Sequence, residues 1–330
     1  MFFSSGSRYH LGGLPASLFY HSLYSQDVFG RLLSTALPLL PRSIVARVAR
    51  RYIAGESTES AIKKVQDLNA RGWAATVDLL GEEIIEPQQA QSATARVLQV
   101  IETLDEMQCQ AGVSLKLSQL GIRIDEQLCM SHLKRIMECA QAHNRFVRID
   151  MEDSSLTTQT LNIYQSLRKK YGGTRLGTVV QAYLYRTEDD IETLLNADAA
   201  PDLRICKGIY RESPEDAYTD KTLITQNFVR LVTRSLRAGA KIAIATHDVH
   251  VIEPICQFIA EHDIDKGQYE FQALLGVPIE GILDQLVADG HSVRVYVPFG
   301  AQWYTYSTRR LKENPEIANH VFKAMFRRLD

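Results

Sequence analysis

A chain of 330 residues, 45% hydrophobic and 23% charged, carries enough apolar material for one large globular domain or two modest ones. Its net charge of −2 gives no electrostatic footprint for nucleic acid, and no apolar run approaches the roughly 18 residues of a membrane-spanning helix. Five scattered cysteines without a CxxC pair fit unpaired thiols in a reducing compartment rather than a disulfide or zinc framework.

The first 55 residues stand apart. They hold Arg8, Arg31, Arg42, Arg47, Arg50 and Arg51, no lysine, frequent serine, and Asp27 as the only acid before Glu56. Such a start can be an organelle transit peptide. Val28–Ile53 nonetheless reads as an amphipathic helix, with Leu32, Leu33, Leu39, Leu40, Ile44, Val45 and Val48 broken by Pro38 and Pro41. Residues 1–70 are therefore expected to form a basic helical arm, and residues 71–330 the main domain. A basic, apolar arm can also rest on a membrane surface.

From residue 74 onward, short β-branched runs alternate with longer helical patterns. The predicted strands are Ala74–Leu79, Val113–Leu117, Phe146–Met151, Thr178–Leu184, Leu203–Lys207, Lys241–Thr246, Tyr269–Ala273 and Val293–Pro298. Helical periodicity lies between them: Val97, Val100, Ile101 and Leu104; then Leu133, Ile136, Met137 and Ala140; then Leu223, Phe228, Leu231 and Leu236. Thr187 with Asp190 reads as a capping box, Ser213-Pro214 as a helix start, and Gly112, Gly172 and Gly239 as helix stops. A last helix is expected over Glu316–Arg327. Eight strands alternating with helices over about 250 residues is the arithmetic of a (β/α)8 barrel, with a doubly wound sheet as the alternative.

In such a barrel chemistry belongs at the C-terminal ends of the strands. Polar residues gather on or beside the expected ends: Asp78 and Glu82, Lys116, Asp150 and Glu152, Gln181, Arg204 and Lys207, Thr246, His247 and Asp248, Glu270 and Gln272, Arg294 and Tyr296. So many charges on one face are costly unless they are paired or used. Beyond the last strand, Arg309 and Arg310 are adjacent, with Glu313 on the same helical face. Two neighbouring guanidiniums repel unless an anion lies between them, and their forks suit a carboxylate. An amino-acid substrate would satisfy both the arginines and the acid; the plain alternative is a surface ion pair.

No G-x-G or G-K-[ST] phosphate loop is present. A nucleotide cofactor would have to be held by strand ends, and Leu203–Glu212 can do so: Lys207 to neutralise a diphosphate, Gly208 to let backbone approach, and Arg204 to reach a ring system. The same residues admit internal ion pairs. Asp150, Glu152, His247 and Asp248 could make a metal site, which would suit a barrel hydrolase, but no H-E-x-x-H occurs and none is expected. Lys116 or Lys207 could serve as a Schiff-base lysine. A barrel that has lost catalysis and only binds is the third class.

The motifs together resemble the proline dehydrogenases, flavin-dependent enzymes of proline catabolism. The resemblance runs over about residues 45–320, through Ala54-Gly-Glu-Ser-Thr-Glu-Ser60, Leu79-Leu-Gly-Glu82, Ser114-Leu-Lys-Leu-Ser118, Arg148-Ile-Asp-Met-Glu-Asp153 and Val179-Val-Gln-Ala-Tyr183. It continues through Arg204-Ile-Cys-Lys-Gly-Ile-Tyr210, Ala245-Thr-His-Asp248, Glu270-Phe-Gln272, Arg294-Val-Tyr-Val-Pro-Phe-Gly300 and Arg309-Arg-Leu-Lys-Glu-Asn314.

The resemblance implies FAD as cofactor and oxidation of L-proline to Δ1-pyrroline-5-carboxylate, the first step toward glutamate, with electrons passed on to a quinone. It implies that Lys116, Arg309 and Arg310 hold the carboxylate of proline and that Glu313 and Tyr296 complete the pocket. Asp150 supports the site and Arg204 lies near flavin N5. Met151, Gln181, Lys207, Gly208, Ile209, Thr246 and His247 fall where the family holds FAD. It places the arginine pair on a final helix over the barrel mouth, moving as a lid. Cys206, Ile209 and Asp248 depart from the valine, alanine and asparagine expected there. With no room for a second dehydrogenase domain, a separate pyrroline-5-carboxylate dehydrogenase is expected. The location expected is the cytoplasm with peripheral contact at the inner membrane face, or the mitochondrial matrix side if the start is a transit peptide.

Overall fold

The computed structural model describes residues 45, 46, 49–81, 84–197 and 199–313, the last five by backbone alone. The expectations for Arg309, Arg310 and Glu313 as side chains, for Glu82, for the helix Glu316–Arg327 and for most of the arm lie outside the described residues. Arg42–Ser307 form one compact unit, and residues from Thr308 onward belong to a second.

Eight parallel strands close into a barrel in sequence order: β1 (Ala74–Leu79), β2 (Ala111–Leu115), β3 (Val147–Ile149), β4 (Leu176–Gln181), β5 (Asp202–Cys206), β6 (Lys241–Ala245), β7 (Tyr269–Leu274) and β8 (Val293–Phe299). β8 returns to β1 with Arg294 opposite Ala74 and Phe299 opposite Leu79. The doubly wound alternative is thereby excluded. Helix α1 (Thr58–Asn69) precedes β1. Between strands run α2 (Pro87–Glu106), α3 (Glu126–Ala142), α4 (Ser154–Tyr171), α5 (Thr187–Leu195), α6 (Lys221–Arg237), α7 (Val249–Glu261) and α8 (Glu280–Ala288); α9 (Trp303–Glu313) follows β8.

Both faces of each strand are covered, so the strands read as apolar runs and bury nearly every residue. Ala61, Ile62, Val65 and Leu68 of α1 join the same buried core as Val77, Val97, Leu133 and Phe228. Asp125, Asp153, Asp220 and Asp248 cap α3, α4, α6 and α7 through side-chain acceptance of backbone N–H groups.

Several local expectations are corrected. Gly112 lies inside β2, and α2 ends earlier, at the cap residue Met107. Thr187 does not cap α5; its hydroxyl donates to the Gln181 carbonyl at 2.5 Å, and Asp190 pairs with Arg186 at 2.8 Å. Ser213-Pro214 opens a turn and not a helix, because α6 starts only at Lys221. Leu223 is exposed in the first turn of α6. The apolar run Thr178–Leu184 leaves the sheet after Gln181, and Ala182, Tyr183 and Leu184 are buried in a connection.

Glu270 and Arg294 are the largest displacement from expectation. Each is the second residue of its strand, so they belong to the N-terminal floor of the barrel. There Arg294 Nε contacts Glu270 Oε1 at 2.8 Å, and Arg148 Nη1 contacts Asp202 Oδ1 at 2.8 Å. Gly177 makes room for the second pair: a Cβ there would stand 2.3 Å from Arg148 Nη1.

Candidate active site

At the other end of the barrel the strand termini bring several sequence-predicted residues together. Asp78 and Ser114 are register partners on β1 and β2, and Lys116 follows β2 directly. Lys116 Nζ lies 3.2 Å from Asp78 Oδ2, and both residues are buried. Burial pulls the lysine's pKa down, but the Asp78 and Asp150 charges outweigh it and hold the ammonium protonated. That environment opposes the neutral amine a Schiff-base lysine needs.

Asp150, one residue beyond β3, is the hub. Its Oδ1 accepts from Ser114 Oγ and from Arg204 Nη1, each at 2.6 Å, and its Oδ2 accepts from Tyr296 OH at 2.7 Å. Burial favours the neutral acid. The positive charges of Arg204 and Lys116 and the two hydroxyl donors outweigh that, so the carboxyl sits below its usual range. The Tyr296 phenol is pushed well above its ordinary value, first by burial and then by the Asp150 charge. Arg204 also lies 5.1 Å from the centroid of the Tyr296 ring. Ser114 carries no functional motif of its own; the sequence signal for it is the period-2 step along β2 to Lys116.

The remaining strand ends divide into scaffold and open groups. Glu152 accepts from the Ser118 backbone N–H at 2.9 Å and from the Ser118 hydroxyl, so it staples the turn after β2 to the end of β3. Gln181 Nε2 donates to the Glu152 carbonyl at 2.9 Å, while its buried Oε1 has no partner among the described residues. Arg204 Nη2 is likewise buried and unpartnered there. His247 Nε2 accepts from the Leu274 N–H at 3.0 Å, and Thr246 Oγ1 accepts from Asp248 N–H at 3.1 Å. With Asp150, Glu152 and His247 each committed elsewhere, the metal-hydrolase grouping is not assembled. Among the described residues the one cluster with metal-ligand spacing is Glu102, Cys139 and His143, on the outer helices.

Lys207, beyond β5, contacts Asp248 Oδ2 at 2.7 Å and Thr225 Oγ1 at 2.8 Å. Burial works against the Asp248 charge, but the Lys207 hydrogen bond and charge hold its carboxyl below the usual range. Gly208 has φ +108°, and a Cβ would stand 2.2 Å from the Tyr183 ring. Tyr183 OH reaches Glu212 Oε1 at 3.2 Å, and Glu212 accepts from Ser154 N–H at 2.9 Å and Ser154 Oγ at 2.6 Å. The segment after β5 is thus tied to the start of α4, an arrangement that reading motif by motif missed. Met151 is buried beside Asp150, and Ile209 is half-buried beside Gly208.

A model of the proline dehydrogenase family matches residues 61–323. The chain belongs to the proline dehydrogenase family. It is 39% identical over 280 residues to proline dehydrogenase 1 of Bacillus subtilis subsp. natto, covering 85% of this chain and 91% of that one. To the proline dehydrogenase of Deinococcus radiodurans it is 38% identical over 291 residues, covering 87% and 93%. In fold it matches proline utilization A from Bdellovibrio bacteriovorus inactivated by N-propargylglycine, with a TM-score of 0.76 at 23% identity. That match covers 82% of this chain and 33% of the larger one. The chain therefore spans about a third of that relative's length. Proline dehydrogenases are oxidoreductases that open proline breakdown, and the family implies a flavin. Among the described residues no helix is long and apolar enough to cross a membrane.

Proposed function

We propose that this chain oxidises L-proline to Δ1-pyrroline-5-carboxylate, using FAD and passing the electrons to a quinone. The observation that carries the cofactor assignment is that two buried atoms at the strand ends, Arg204 Nη2 and Gln181 Oε1, have no partner among the described residues. One is a donor and the other an acceptor, which is the complement of a flavin ring edge that offers both ring nitrogens and an N–H. Lys207, Gly208, Ile209, Thr246 and His247 would hold the rest of the cofactor, with Met151 and Gln181 beside the ring. FAD, when bound, supplies the acceptor for the hydride that leaves the δ carbon of proline.

The chain's own residues bind and orient. Lys116 is held cationic, which suits it to the proline carboxylate; Arg309 and Arg310 are assigned to the same group, and Glu313 to the amine side. Asp150 keeps its charge, fixes Arg204 through Nη1 and receives the Tyr296 proton donor, so that the tyrosine ring forms a wall of the pocket. Burial of this cluster excludes water, and rigid placement of the reacting carbon supplies the orientation term of catalysis. The basic N-terminal segment ahead of α1 is assigned to peripheral contact with a membrane that carries the quinone, on the cytoplasmic side, and a separate pyrroline-5-carboxylate dehydrogenase would take the product.

The test is a visible spectrum of the purified protein before and after anaerobic L-proline. An oxidised flavin spectrum that bleaches is expected. Protein that takes up no flavin after incubation with FAD would overturn the reading.

A further inference from the structure

Gln272 lies at mid-height in β7 with 5% exposure, and both ends of its amide are engaged. Its Oε1 accepts from Arg204 Nε at 2.6 Å, and its Nε2 donates to Glu270 Oε1 at 2.5 Å. Glu270 is held from the far side by Arg294 Nε at 2.8 and 3.0 Å, and Arg294 Nη1 donates to the Ala75 carbonyl at 2.8 Å. At the upper end, Arg204 Nη1 reaches Asp150, which also receives Ser114 and Tyr296. An unbroken run of side chains therefore joins the floor of the barrel to the site at its mouth.

Gln272 is the link whose chemistry is hardest to replace. Arg204 can only donate and the Glu270 carboxylate can only accept, so the residue between them must offer one acceptor and one donor. The glutamine amide does this in a single orientation. A carboxylate would face Glu270 with like charge, and an apolar side chain would strand a buried guanidinium N–H. With Nε held by Gln272 and Nη1 by Asp150, the plane of Arg204 is fixed at two points. Its third nitrogen, Nη2, has no partner among the described residues.

We propose that Gln272 is a positioning residue for proline oxidation: it fixes the guanidinium plane of Arg204 so that Nη2 is presented to the flavin. This rests on the FAD assignment above. Neither Gln272 nor Glu270 is required to touch substrate.

The experiment compares flavin-loaded wild type with Q272M, which keeps the length and removes both hydrogen bonds, and with Q272N, which keeps the amide but is one methylene too short to span both partners. The readouts are the flavin reduction potential, the visible spectrum, and kcat and KM for L-proline. Expected in either variant is a lowered potential, an altered spectrum and a kcat about 10- to 100-fold down, with KM for proline within about threefold. If Q272M does not fold, Q272N alone decides. Wild-type potential, spectrum and kcat in a folded variant would overturn the proposal and leave Gln272 a packing residue; so would a loss confined to KM. Failure of the FAD assignment is distinguishable, because it would show in the wild type as protein without flavin.

Discussion

D248N tests what the Asp248 carboxylate does beside Lys207. Lys207 Nζ is 2.7 Å from Asp248 Oδ2. At that separation the attraction is about 1.5 kcal/mol in the dielectric of water and about 6 kcal/mol at an effective dielectric of 20. The two side chains are 31% and 30% exposed, so solvent screening brings the pair toward the lower figure, about 1 kcal/mol. A diphosphate taken up by Lys207 must compete with that carboxylate. Replacing it by the amide removes the competitor, and about 1 kcal/mol corresponds to roughly fivefold tighter FAD binding. The cap on α7 survives, since asparagine accepts the His250 N–H as well as aspartate does. The assay is titration of FAD into deflavinated protein, followed by quenching of flavin fluorescence, at low and high salt. The gain should shrink with salt. Unchanged or weaker binding in D248N would refute Lys207 as a diphosphate contact.

D150N should cost about 3–5 kcal/mol, because it leaves Arg204 buried with a neutral partner. The Asp150 pKa is lowered on folding, so its contribution is present above the unfolded value near 4 and is lost as pH falls through the folded one. The gap in Tm between wild type and D150N should accordingly narrow as the buffer is taken from pH 6 toward pH 3, and a constant gap would count against an ionised Asp150. Y296F removes one donor to Asp150 and should lower stability by about 0.5–1.5 kcal/mol. Because the phenol is raised well above 10, the wild-type to Y296F activity ratio should stay flat up to pH 10. G208A forces a Cβ against Tyr183 in a left-handed backbone and should cost about 1–3 kcal/mol or more, read as a lower urea midpoint.

The barrel was legible because parallel strands buried on both sides leave apolar runs, and those runs recur at the spacing that helices require. Ala74–Leu79 is recovered as read. The runs mislead where burial and pairing part company: Ala182–Leu184 is as apolar as a strand but folds over the top, with Leu184 bridging to Ala217 instead of extending β4. Strand-end polarity identified Lys116, Asp150, Arg204 and Tyr296 as candidates. Which carboxylate meets which cation was not legible, because that depends on closing β8 onto β1 and on the height of each residue within the barrel. Height separates Arg204 from Arg294, two arginines on apolar strands that serve opposite ends. Partnership across the barrel likewise showed Glu152 to be a staple and gave Ser114 and Gln272 their places.

The floor of the barrel is filled by Arg148 with Asp202 and by Arg294 with Glu270. A plug of paired charges is hard to open, since separating either pair would strand an ion in a low-dielectric interior. Traffic is therefore confined to one side. We therefore expect proline, its oxidised product and the electron acceptor to share the opposite mouth and to exclude one another there. Turnover should then alternate, with product leaving before acceptor arrives, and initial-rate plots at several acceptor concentrations should run parallel rather than converge.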